Sequence, residues 1–174
     1  LDLPVHLHAH ETAQEVQQSQ QKHGQRPIAR LDRLGLINDR LIAVHMTQLT
    51  DAEVVLCAER GVSVVHCPES NLKLASGFCP VHRLVHAGVN VAIGTDTEPQ
   101  NMAEELRMAS TMGRAAAQSV RGVWLSELFH AATIGGAKAL GRDDLGRLAV
   151  GAKADLVIHS SHDARTKTED RKST

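Results

Sequence analysis

Four short apolar runs alternate with helical stretches along the chain, and a histidine or an aspartate lies at or next to the end of each. They are Leu3 to His8, Leu41 to Met46, Val62 to Cys67 and Val89 to Thr95. Helical patterns are expected between and after them, from Thr12 to about His23, Asp51 to Arg60, Val81 to Ala87, Gln100 to Ser119 and Leu125 to Leu140, the last closed by Gly141. Strands separated by helices cannot pair as hairpins and predict parallel β-α units, an α/β fold. The length of 174 residues suits one compact domain.

In a parallel sheet or barrel the carboxyl ends of the strands form the functional face. His8 with Glu11 just beyond it, His45, His66 and Asp96 lie at or next to the ends of the four runs and are therefore expected to converge. Imidazoles with a carboxylate are the donor set of a catalytic divalent metal such as zinc or iron, whose bound water becomes a hydroxide nucleophile near neutral pH. In His6-Leu7-His8-Ala9-His10-Glu11 the strand period of two puts three histidines on one face, and spacing leaves open which of them binds. The competing reading for each is a buried, hydrogen-bonded histidine; for Asp96 it is a helix cap. His66 with Cys67-Pro68-Glu69-Ser70-Asn71 reads as a loop of polar groups suited to orienting a substrate. Cys57, Cys67 and Cys79 form no C-x-x-C pair and read as small buried residues in a reducing compartment.

Composition narrows the partners. A net charge of −1 gives no positive field for nucleic acid or an anionic membrane, and 2% aromatic residues leave no stacking platforms. No run approaches the roughly 20 apolar residues of a spanning helix. Neither nucleic acid nor membrane is expected as a partner, and the predicted location is cytoplasmic. The first residue, Leu1, suggests a longer reading frame.

The segments Val5-His6-Leu7-His8-Ala9-His10-Glu11-Thr12, Ala43-Val44-His45-Met46, His66-Cys67-Pro68-Glu69-Ser70-Asn71-Leu72-Lys73-Leu74 and Gly94-Thr95-Asp96 resemble successive signatures of the amidohydrolase superfamily. The branch they resemble holds methylthioadenosine/S-adenosylhomocysteine deaminases and triazine chlorohydrolases, with agreement from about residue 1 to 158. The resemblance implies the C-terminal half, strands five to eight, of a TIM-type (β/α)8 metal-dependent hydrolase barrel. It implies His8 and Asp96 as metal ligands, Glu11 as proton shuttle and His45 as the group polarising the reacting carbon. Ser70 and Asn71 fall where the family contacts its substrate, which His66 also faces. The cofactor would be one divalent metal, zinc first and iron second. The substrate would be a small nitrogen heterocycle losing ammonia or halide by hydrolysis of a non-peptide bond.

Departures shape the remaining expectations. The family's first-strand His-x-His pair would lie upstream of Leu1, so the isolated chain is expected to be inactive. Reading His6 and His8 as that pair would make a small self-sufficient enzyme, but Glu11-Thr12 and the strand count oppose it. Thr97-Glu98-Pro99-Gln100-Asn101-Met102 replaces the Gly and small polar residues of the deaminases after Asp96, which argues against an adenosine-type substrate. Residues 1–144 are assigned to the partial barrel, 145–158, with Ala154 to Ile158 as a strand, to a return segment toward a β-sandwich, and 159–174 to a disordered tail. A half barrel leaves strand edges open, so the expected partners are a second copy or a separate N-terminal half. The rival function is a non-catalytic module that assembles in the same way.

Overall fold

The computed structural model describes residues 3–97 and 100–158. Four strands, β1 (Val5–Ala9), β2 (Leu41–His45), β3 (Ser63–His66) and β4 (Asn90–Ile93), form one sheet in the order β1-β2-β3-β4. All three pairings are parallel, with Ala9 beside His45 and His66 beside Ile93. Helices α1 (Ala13–His23) and α2 (Pro27–Arg33) follow β1, α3 (Asp51–Glu59) follows β2, and α4 (Pro68–Lys73) and α5 (Val81–His86) follow β3. After β4 come α6 (Met102–Ala117), α7 (Leu125–His130), a π-helical turn (Ala131–Gly135) and α8 (Gly136–Ala139). This is the alternating α/β unit read from the apolar runs, in an open, partial barrel.

Position in the sheet explains the strand compositions. Every residue of β2 is buried, as its aliphatic Leu41-Ile42-Ala43-Val44 requires, whereas β1 is an edge strand among the described residues and exposes Val5, His6 and His8. At the other side of the sheet the π-helical turn packs on β4. A Cβ on Gly135 would come within 2.2 Å of the Val91 carbonyl oxygen, so only glycine allows this approach, and Asn90 Nδ2 donates to Gly135 O at 3.1 Å. The core beneath the helices is aliphatic, including Ile28, Leu41, Val62, Val64, Leu84 and Leu128.

Capping fixes the starts of α3 and α6. Thr50 and Glu53 form a reciprocal capping box on α3, and Asn101 Oδ1 accepts from Ala103 N and Glu104 N to open α6. Two short helices were not expected from the sequence: α2, although Pro27 supplies a first-turn signal, and α4, where a loop was expected. The helix expected from Leu125 to Leu140 is present but interrupted by the π turn.

The strand expected at Ala154 to Ile158 does not form: residues 153–158 carry no strand pairing, and Leu156, Val157 and Ile158 are exposed. Among the described residues no other strand lies beside them to supply the ladder. The predicted tail, 159–174, falls outside the described residues, as do Glu98 and Pro99.

At the carboxyl ends of the strands the backbone turns sharply. His10, His45, Met46 and Asp96 all adopt left-handed φ values of +52°, +74°, +50° and +57°. Such angles are uncommon for residues with a Cβ and cluster where side chains must be aimed.

Candidate metal centre

His8, Glu11 and His45 converge beyond the ends of β1 and β2. One ligand atom from each lies within 4.8 Å of the others. The His8 and His45 rings meet edge to face with centroids 4.9 Å apart, and His45 Nε2 is 3.8 Å from Glu11 Oε2. His45 is 1% exposed at its side chain and Glu11 26%, while His8 is exposed, so the cluster opens to solvent on one side only.

Each member is held from behind. Asn71 Oδ1 accepts from His45 Nδ1 at 2.9 Å, which fixes the tautomer and turns Nε2 towards the cluster. Ser76 Oγ donates to Glu11 Oε1 at 3.1 Å. The Glu15 carboxylate accepts from His10 N at 3.0 Å and from Glu11 N at 2.7 Å, pinning the turn that carries Glu11. Thr47 Oγ1 donates to the Glu11 carbonyl oxygen at 2.6 Å, closing the same loop against β2. Glu15, Thr47 and Ser76 were not singled out from the sequence; only Glu15, four residues after Glu11 at the start of a helix, carried a legible signal there.

The three histidines of β1 do not share one role. Because His10 is in the left-handed region, the alternation of the strand ends before it, and its ring turns into the core at 0% exposure. Its Nε2 accepts from Ile28 N at 3.0 Å, and Nδ1 lies 3.3 Å from Gln48 O as a donor. Burial pushes its pKa down against the opposing pull of Glu53. His10 is thus the buried, hydrogen-bonded histidine, His8 joins the cluster and His6 stays exposed on β1.

Asp96, the other sequence-derived ligand, lies outside the three-residue cluster and is exposed. Its Oδ2 accepts from Ser70 Oγ at 2.5 Å. Ser70 and Asn71 are 0% and 1% exposed, and each bonds a site residue. His66 is likewise buried, with no partner on Nδ1; burial, then the neighbouring His45, pushes its pKa down to about 3. The three cysteines are free and buried, and none belongs to the cluster.

The donors fit a divalent cation. Two imidazoles and a carboxylate converge, and one imidazole is held by a hydrogen bond on its far nitrogen, an arrangement common behind metal ligands. Iron and zinc both accept this set.

The sequence profile of the amidohydrolase family matches residues 1–172. A 5-methylthioadenosine/S-adenosylhomocysteine deaminase of Haloarcula marismortui is 44% identical over 161 residues, which is 90% of this chain and 37% of that protein. A 5'-deoxyadenosine deaminase of Methanothermobacter thermautotrophicus is 41% identical, over 90% of this chain and 38% of its own length. Among solved structures, an adenosine deaminase from Xanthomonas campestris with bound zinc superposes with a TM-score of 0.85 at 61% identity, covering 88% of this chain and 36% of that one. An atrazine chlorohydrolase from Arthrobacter aurescens complexed with zinc gives 0.80 at 29% identity, covering 91% and 39%. The chain therefore spans well under half the length of the proteins it matches. No helix among the described residues is long and apolar enough to cross a membrane.

Proposed function

Because the chain belongs to the amidohydrolase family, we propose that it supplies half of a metal-dependent active site that hydrolyses a non-peptide carbon–nitrogen bond of a nitrogen heterocycle. Release of ammonia from an aminopurine nucleoside is the preferred reaction and release of halide from a triazine the second. The convergence of His8, Glu11 and His45 at the strand ends carries this reading. The names of the deaminases above support the first substrate class, against the expectation drawn from the Thr97 segment.

His8, within the cluster it forms with Glu11 and His45, would hold the metal, zinc first and iron second; Asp96, outside that cluster, is assigned as the second holder from its place after β4 in the family pattern. Such a metal would supply Lewis acidity, by which water, of pKa 15.7 in bulk, would ionise at about pH 7 and act as hydroxide at neutral pH. Glu11 is placed to take a proton on Oε2 and return it to the leaving nitrogen, while Ser76 keeps Oε1 in place. His45 presents Nε2 to the reacting centre because its Nδ1 is committed to Asn71. Ser70 steadies Asp96 from below. In this reading Ser70, Asn71 and His66 act behind the reacting groups, and the substrate meets Glu11, His8 and Asp96.

The free edge of β1 supports assembly with further parallel strands, from a second copy or a separate N-terminal half, before the site is complete. The test is a hybrid in which this chain replaces the matching part of the Xanthomonas campestris enzyme. The hybrid is expected to release ammonia from adenosine-type nucleosides, and Glu11→Gln to abolish release with zinc retained. A folded, zinc-loaded hybrid that releases no ammonia, or one indifferent to Glu11→Gln, refutes the proposal. The 174-residue chain alone is expected to be inactive.

A further inference from the structure

Helix α4 begins without a cap of its own. Its N-cap, Cys67, makes no side-chain capping bond, and Pro68 occupies the first helical position. The N–H of Glu69 at the second position would be one of the orphan donors that every helix start carries. It donates instead to Glu105 Oε2 at 3.0 Å, a carboxylate that reaches across from α6.

Glu105 is 0% exposed, and its other oxygen, Oε1, is buried without a partner. A carboxyl group is costly to bury with an idle oxygen, and burial pushes this one above the ordinary carboxylate range against the Glu69 N–H bond. What this arrangement secures follows along α4. The two residues after Glu69 are Ser70, which donates to Asp96, and Asn71, which accepts from His45. One short helix thus carries the contacts to two strand ends, and its first turn is held from α6.

We propose that Glu105 is a positioning residue: by anchoring the first turn of α4 it holds Ser70 and Asn71 where they orient Asp96 and His45. The proposal rests on the reading of His45 and Asp96 as site groups. Without Glu105, the part-buried Glu69 N–H loses its acceptor and the first turn shifts towards another one. Asn71, only two residues further on, moves with it.

The test uses the full chain with ¹⁵N-labelled histidine and compares the wild type with Glu105→Gln, Glu105→Ala and Leu128→Ala. Leu128, 1% exposed in α7, serves as a destabilising control outside α4. In metal-free protein, the wild type and Glu105→Gln, which keeps a carbonyl acceptor, should show His45 as a single Nδ1–H tautomer. Glu105→Ala should bring the two nitrogen resonances together, and Leu128→Ala should not. Zinc affinity should fall by about 10–100-fold in Glu105→Ala and stay near the wild-type value in Glu105→Gln. A wild-type His45 spectrum in Glu105→Ala, or an equal change in Leu128→Ala, overturns the proposal. Should Glu105→Ala not fold, amide exchange of the wild type decides: a Glu69 amide as protected as the interior of α6 supports the anchor, and a freely exchanging one overturns it. The zinc comparison is made in the Xanthomonas campestris hybrid, which carries the remaining donors; a wild-type hybrid that binds no zinc would count against the site reading, while the His45 spectra of the chain would still judge Glu105.

Discussion

Replacing Arg26 with alanine should destabilise the chain by about 2–4 kcal/mol, and the figure follows from what the guanidinium touches. Arg26 Nε and Nη2 donate to the two oxygens of Glu53 at 2.7 and 2.9 Å, and Nη2 also donates to Gln48 O at 2.5 Å. The Glu53 side chain is 10% exposed and that of Arg26 27%, so the pair is mostly desolvated on the carboxylate side. Removing one partner of a buried ion pair costs about 3–5 kcal/mol because the remaining charge stays buried. Two features reduce that cost: water can reach the Arg26 side, and Glu53 Oε2 still accepts from Thr50 N at 2.8 Å and Thr50 Oγ1 at 3.0 Å. Urea unfolding followed by circular dichroism measures the loss. The pH dependence supplies a second reading. Burial raises the Glu53 pKa, but the Arg26 hydrogen bond, the Thr50 donors and His10 outweigh it and hold the carboxyl below its ordinary value. A depressed folded pKa contributes stability that is fully present above the unfolded value, about 4.3, and is lost as pH falls through the folded value. Arg26→Ala should therefore flatten the acid limb of the stability curve, and Arg26→Ala with Glu53→Gln should cost less than the two separate losses added. A loss below about 0.5 kcal/mol with an unchanged acid limb would refute the argument, since that is the worth of an exposed pair.

Two further outcomes test other parts of the fold. Gly135→Ala would place a methyl 2.2 Å from the Val91 carbonyl oxygen, and thermal unfolding should show a loss of at least about 1–3 kcal/mol, the usual cost of overpacking; no loss would mean that the π turn does not press on β4. Burial pushes the Cys57 and Cys67 thiols up to about 12 and raises Cys79 as well, so Ellman's reagent should react with none of them in native protein at pH 8 and with all three in urea, and rapid native labelling of any would contradict their burial.

What could be read before the structure, and what could not, divides along local and tertiary lines. The β2 run Leu41-Ile42-Ala43-Val44 announces a strand buried on both faces, because its composition alone fits no solvent-facing role. His45 and His8 were legible as strand-end donors for the same reason, and the structure brings them together. His10 was not separable from His8 by spacing, because the strand's alternation is broken by a positive φ that no local residue announces. Helix α4 lies where the polar run Cys67-Pro68-Glu69-Ser70-Asn71 reads as a loop; its cap comes from Glu105, 36 positions after Glu69. Ser70 and Asn71 are visible as polar groups in the chain, but their bonds to Asp96 and His45 are a fact of packing. The segment at Ala154 to Ile158 has strand composition without a strand beside it among the described residues, and composition cannot supply a hydrogen-bonding neighbour.

The left-handed residues at the strand exits bear on how this chain would respond to selection. His10, His45, Met46 and Asp96 each hold a backbone angle that glycine adopts freely, and for a residue with a Cβ such an angle costs about 1–2 kcal/mol. A library screened for heat tolerance alone would thus favour glycine first at Asp96, the one exposed residue of the four. His10, His45 and Met46 are at most 1% exposed, and there lost packing and lost hydrogen bonds outweigh the backbone relief. At 96 the same improvement would erase a carboxylate that faces the centre, and the screen would register only the gain. Under stability selection without catalytic selection the Asp96 side chain should therefore be lost before the three buried ones.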